Sequence, residues 1–171
     1  METNKEVSKM KSFKTPCNVF LAIFALVFLF GLFHSIQANQ EKPKKEVVNF
    51  PGAKPSGKPF SSAIKVGNIL FLSGVIGSDL ETGELVSDCV IEQTHKCMEK
   101  LSVLLKEAGM DFSDAVKATV YLADINDYSK MNEAYGSYFK NTPCPARACV
   151  QVAKLVKDAK VEISMMAIKT E

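Results

Sequence analysis

Arginine occurs once in this chain of 171 residues, at Arg147, while twenty other positions carry lysine. Histidine occurs twice, at His34 and His95, and none of the five cysteines stands in a CxxC pair. That spacing argues against a structural zinc site. A catalytic thiol needs a base beside it, and neither histidine is placed to serve one. Cys149 alternates with apolar residues and reads as a small buried hydrophobe; nothing in the spacing calls for a disulfide. Excess charge is also missing. Residues 1–38 hold four lysines and two glutamates, which leaves 17 basic and 17 acidic residues in the body. A neutral body argues against electrostatically driven nucleic-acid binding.

What is present begins with that one arginine. It lies in Pro145-Ala146-Arg147-Ala148-Cys149-Val150-Gln151-Val152, the start of an alternating apolar segment. Lysine is a hydrated point charge, whereas arginine is a rigid fork that grips a carboxylate through two parallel hydrogen bonds. A chain that otherwise avoids arginine has reason to place this one for geometry. Taken alone, a structural ion pair at a strand edge fits equally well.

The front of the chain is an appendage. Lys5, Lys9, Lys11 and Lys14 precede an uncharged apolar run over residues 18–33. A basic stretch followed by such a run is the signature of a signal peptide or signal anchor. The run is short for a membrane span and long for a signal core. Ala38 ends an imperfect cleavage site, so a cleaved signal within 1–38 and a retained anchor touching a membrane both fit. Such a leader implies entering the secretory pathway, then secretion, an endomembrane or a plastid-like organelle, with the mature domain soluble. Residues 39–58, rich in Lys, Pro and Gly, read as a linker or targeting extension. The domain proper then spans 59–171.

Within the body, β-prone runs at 60–66 and 69–75 flank Gly67-Asn68, which suits a tight hairpin turn. From Asp88 the period changes. Val90, Ile91, Thr94, Met98, Leu101, Leu104 and Leu105 recur at helical spacing up to Gly109. Residues 115–123 read as a strand. Asp127 is suited to cap a second helix carrying Tyr128, Met131, Tyr135, Tyr138 and Phe139. Residues 147–154 and 160–168 read as the last two strands. The order β-β-α-β-α-β-β predicts an α+β fold, a mixed sheet with two helices on one face. The other face then needs cover, which a partner subunit would supply, so an oligomer is expected.

Four pieces of this body resemble the RidA/YjgF family, the reactive-intermediate imine deaminases. They are Phe71-Leu72-Ser73-Gly74, Thr82-Gly83-Glu84, Ala134-Tyr135-Gly136-Ser137-Tyr138-Phe139, and the Pro145–Val152 segment with Val161-Glu162-Ile163 downstream. The last is the most specific. The likeness runs collinearly from about residue 50 to the C-terminus and excludes the leader. It implies a chorismate-mutase-like domain, a homotrimer with active sites in clefts between subunits, and hydrolysis of 2-imino acids or their enamine tautomers to 2-keto acids and ammonia without metal or cofactor. It implies that Arg147 grips the substrate carboxylate and that Glu162 handles the attacking water. Phe60, Ser73, Gly74, Asn132 and Cys149 match further positions that contact substrate.

The residue chemistry agrees with this on its own terms. A bidentate donor orients a carboxylate beside an electrophilic C=N, and a carboxylate within reach of water serves as base. Backbone N–H groups near Ser73-Gly74 and Cys149 are suited to steady developing charge. Without the likeness, Glu162 would read as a surface glutamate, Ser73 as a strand-end residue and Asn132 as a polar helix residue. The chain also departs from the family. Gly-Pro-Tyr is here Lys58-Pro59-Phe60, which keeps the ring and loses the hydroxyl, and Leu-Pro is Leu155-Val156, read as a neutral turn change. Two alternatives stand beside the deaminase: a single-strand endoribonuclease that inhibits translation, and a non-enzymatic carboxylate-binding or chaperone-like trimer.

Overall fold

Alternation along the strands decides which way each side chain points, and this organises the whole domain. The computed structural model describes residues 42–53, 57 and 59–170. The apolar run at 18–33 and the leader reading of 1–38 lie outside these residues. Among the described residues no helix is long and apolar enough to cross a membrane. Pro43–Glu171 forms one unit.

Among the described residues six strands and two α-helices follow in order: β1 (Lys45–Val48), β2 (Ala63–Val66), β3 (Ile69–Ile76), α1 (Val90–Glu107), β4 (Ala115–Leu122), α2 (Tyr128–Gly136), β5 (Ala146–Gln151) and β6 (Val161–Ile168). They make one sheet of order β1-β2-β3-β6-β4-β5. Only the β4–β5 pair is parallel. This is the mixed α+β arrangement expected from the sequence, with one strand more. β1 lies in the stretch read as a linker and pairs antiparallel with β2, Val47 opposite Ile64. Its lysine and glutamate hide it, because a solvated edge strand needs little apolar sequence and gains protection from charge.

β2 and β3 turn through Gly67-Asn68, as expected. Gly67 has φ 60° while Asn68 is not in the left-handed region, the pattern of a II′ turn that wants glycine first. α1 ends in a Schellman motif: Met110 N–H donates to Leu105 O at 2.9 Å and Gly109 N–H to Lys106 O at 3.0 Å, with Gly109 at φ 73°. Its inner face buries Val90, Thr94, Cys97, Met98, Leu101, Leu104 and Leu105. These pack on Leu70, Leu72, Val120, Leu122, Val161 and Ile163 of the sheet. Each fully buried leucine is worth about 2 kcal/mol in transfer free energy.

α2 starts differently from the expectation. Asp127 makes no side-chain cap bond. A short 3-10 turn at Ile125–Asp127 comes first, capped by Asp124, whose carboxylate accepts from Asn126 N–H at 2.9 Å. Asp127 instead pairs with Lys130 at 3.7 Å. A second 3-10 turn, Ser137–Phe139, finishes the helical run and buries Phe139.

Both helices cover the same face. On the other face Val47, Phe71 and Val150 are exposed. An apolar sheet face of this kind is the feature the sequence pattern had led us to expect, and soluble proteins rarely leave one bare.

Candidate active site

Arg147 sits on β5 opposite Ala118 of β4. Because Ala118 is buried beneath the helices, the guanidinium runs onto α2. One terminal nitrogen donates to Asn132 Oδ1, and the other lies 3.9 Å from Met131 Sδ. The guanidinium carbon stands 4.7 Å from the Tyr135 ring centroid and 5.9 Å from that of Tyr128. Residues 128, 131, 132 and 135 share one helical face, so about two turns of α2 fix the fork. A cation held over an aromatic face keeps its edge N–H groups available for a planar acceptor. Arg147 is half-buried, which strengthens any carboxylate bond it makes.

Tyr135 is buried, and its hydroxyl has no hydrogen-bond partner among the described residues. Burial pushes this phenol up to about 12, with the nearby Arg147 charge acting the other way. It therefore stays neutral under the guanidinium. Burial also raises the Cys149 thiol, again opposed by Arg147, so Cys149 is a protonated neighbour and a poor nucleophile at neutral pH.

Glu162 belongs to a second group. It sits on β6 opposite Ile76 of β3 and Tyr121 of β4. Its neighbours Val161 and Ile163 are buried against the helices, so alternation turns Glu162 to the open face. The β3 ladder is interrupted between Leu72 and Val75. Bulges of this kind re-aim the chain beside functional sites. Here Gly74 leaves the space that the Glu162 carboxylate occupies: a Cβ on Gly74 would collide with its Oε1 and lie 2.9 Å from its Cδ. Ser73 anchors the same bulge, its N–H donating to Ser62 O at 3.0 Å and its hydroxyl to Ser61 O at 2.8 Å.

A cavity of about 950 Å³ opens here, lined by Phe60, Ser73, Gly74 and Glu162 with the 78–83 loop. The structure therefore brings four of the sequence-derived site residues together and gathers the other three, Asn132, Arg147 and Cys149, elsewhere. β4 lies between the Arg147 strand and β6. Within one chain Arg147 and Glu162 point to opposite faces, with their strands about 10 Å apart.

Sequence reasoning missed three contributors. Tyr128 and Tyr135, read from the sequence only as residues of the second helix, cradle the guanidinium. Lys100 interrupts the apolar face of α1, which was a visible signal. It is 7% exposed, lines the cavity, and donates to Ile76 O at 3.0 Å and to Ser78 O and Oγ at 3.2 and 3.1 Å. It thereby fixes the end of β3 opposite Glu162. Val156 also lines the cavity, so the change read as neutral falls on its wall.

Comparison with known proteins identifies the family. Residues 52–169 match the family described as Endoribonuclease L-PSP. The chain is 41% identical over 167 residues to Reactive Intermediate Deaminase A, chloroplastic, of Arabidopsis thaliana, covering 92% of this chain and 89% of that one. It is 42% identical over 125 residues to the human 2-iminobutanoate/2-iminopropanoate deaminase, covering 73% and 90%. Among solved structures, E. coli TdcF with bound serine superposes with a TM-score of 0.68 at 32% identity, covering 73% of this chain and 99% of that one. With the family match spanning most of the chain and relatives above 40% identity over their own length, this chain belongs to the endoribonuclease L-PSP family, the RidA/YjgF family that its motifs resemble.

Proposed function

We propose that this protein hydrolyses reactive 2-imino acids, such as 2-iminobutanoate and 2-iminopropanoate, to 2-keto acids and ammonia. The observation that carries this is the guanidinium of Arg147, oriented by Asn132 and stacked on Tyr135, in a chain whose relatives carry that activity in their names. The TdcF relative holds serine, whose carboxylate is of the kind an arginine fork accepts. Arg147 would take the substrate carboxylate through two parallel hydrogen bonds. Glu162 would accept a proton from water as its oxygen adds to the C=N carbon. The nitrogen takes up a proton, the C–N bond breaks, ammonia leaves and the carbonyl forms. No oxidant or cofactor is needed for that balance.

The site is completed between subunits. Arg147 and Glu162 lie on opposite sheet faces, so one chain does not bring them to one small substrate. A trimer that buries the exposed face carrying Val47, Phe71 and Val150 would set Arg147 of one subunit against Glu162 of the next. The leader would deliver the soluble domain to an organelle by way of the secretory pathway. The Arabidopsis relative is chloroplastic by name, and the likeness to it extends ahead of the family domain. A fluorescent protein fused behind residues 1–58 tests this by its location; diffuse cytosolic signal would rule it out.

The activity test generates 2-iminobutanoate with a threonine dehydratase and traps it with semicarbazide. The protein should suppress the semicarbazone signal, and Arg147→Lys should not, because lysine keeps the charge and loses the fork. Full activity in Arg147→Lys would overturn the clamp. Nuclease activity that survives that substitution, without deamination, would favour the ribonuclease reading. Keto-acid binding without turnover would favour a carboxylate-binding trimer.

A further inference from the structure

The cavity that holds Glu162 has a polar floor and an apolar rim. Three large side chains form the rim from three separate segments. Phe60 precedes β2, Leu80 lies in the loop after β3, and Val156 lies in the turn after β5; all three line the cavity. They are 58%, 49% and 68% exposed. Apolar side chains scattered singly over a surface need no explanation, but a converging set beside polar groups marks a ligand surface.

The fold holds two of them in place. The loop carrying Leu80 is stitched by Asp79, whose carboxylate accepts from Glu81 N–H at 2.9 Å and Thr82 N–H at 3.0 Å. These bonds hold Asp79 below the usual carboxylate range. The turn carrying Val156 places Lys157 and Asp158 at φ 58° and 59°, a left-handed backbone that strains non-glycine residues. Lys157 then crosses to that loop, donating to Gly83 O at 2.8 Å and pairing with Glu84 at 3.3 Å. Two loops are thus tied together, and the rim's lysine is occupied by the tie. Strain of this kind persists where the surroundings over-determine it, and here its outcome is an apolar side chain displayed at the cavity mouth.

We propose that Phe60, Leu80 and Val156 are specificity-determining residues that seat the substrate side chain, so that this protein favours 2-imino acids with branched, thioether or aromatic side chains over those with one or two carbons. The inference rests on the deaminase reading and adds a substrate class to it. All three side chains stand at the mouth of the cavity that holds Glu162, where a longer apolar side chain of the substrate would find contact.

The test uses full-length protein and an L-amino-acid oxidase supplied with leucine, methionine, phenylalanine or alanine, with semicarbazide trapping of each imine. The ratio of kcat/KM for the leucine-derived to the alanine-derived imine should exceed one by roughly tenfold. Leu80→Ser and Val156→Ser should each lower that ratio severalfold, through KM rather than kcat. Ile125→Ser, an exposed apolar residue away from the cavity, should leave it unchanged. If the alanine-derived imine is the better substrate, or the serine variants leave the ratio alone, the rim does not seat the side chain and is covered by another subunit instead. If no imine is hydrolysed, the deaminase reading itself fails, an outcome distinct from a flat ratio.

Discussion

Arg147 and Glu162 point to opposite faces of one sheet, with β4 between their strands. Ala118 faces Arg147 toward the helices, and Tyr121 faces Glu162 on the open side. If these two residues act on one substrate, they come from different subunits.

Complementation measures this directly. Arg147→Lys and Glu162→Gln should each be inactive alone. Unfolded together in equal amounts and refolded, they should regain about a quarter of the wild-type sites, those with Arg147 from one variant and Glu162 from the other. Activity that stays at background in demonstrably mixed oligomers would place both residues in one subunit's site or remove one of them from the chemistry.

Two glycines should respond in opposite ways to alanine. At Gly74 the added Cβ meets the end of the Glu162 side chain, which can swing away. Gly74→Ala should keep the melting temperature within about 2–3 °C and lose most activity. At Gly77 the Cβ would lie 2.5 Å from the Gln93 backbone Cα, which cannot swing. Gly77→Ala should cost about 1–3 kcal/mol of stability. Thermal melts and turnover, measured side by side, separate the two cases; equal melting temperatures would refute the distinction.

Tyr135→Phe should stabilise the protein by about 1 kcal/mol, because it removes a buried hydroxyl without a partner. The ring, and with it the stacking on Arg147, remains, so KM should hold. Denaturant titration checks this. A loss of stability would reveal a partner that the assembled protein provides.

Cys97 is fully buried and donates its S–H to Val75 O at 3.1 Å. Burial raises its thiol from 9.0 to about 12, with the Lys100 charge opposing and the Glu162 charge adding. The unfolded thiol therefore loses its proton first. The stability that Cys97 contributes is fully present below pH 9 and is lost as pH rises toward 12, by about 1.4 kcal/mol per pH unit. The stability gap between wild type and Cys97→Ala should shrink between pH 8 and pH 11 in urea titrations. A gap that stays constant would mean the folded thiol ionises as freely as the unfolded one.

Much of this was legible from residue order. The helical period from Val90 to Leu105, the Gly67-Asn68 turn and the Gly109 stop are local signals, and local backbone physics alone enforces them. β1 was not legible, since an edge strand built on Lys45 and Glu46 looks like linker. Nor was the start of α2, where Asp124 and Asp127 offer the same chemistry and only the 3-10 turn between them selects Asp124.

For the site, the sequence alone singled out Arg147 by its isolation among lysines and placed Glu162 on the last strand. A side chain's chemistry belongs to its residue type and needs no fold. Only the tertiary structure decided that β4 separates the two, that Gly74 makes room for the carboxylate, that α2 orients the guanidinium, and that Phe60, Leu80 and Val156 meet at one mouth. The reason is that strand order and register join residues distant in the chain, and no local pattern encodes which strands become neighbours.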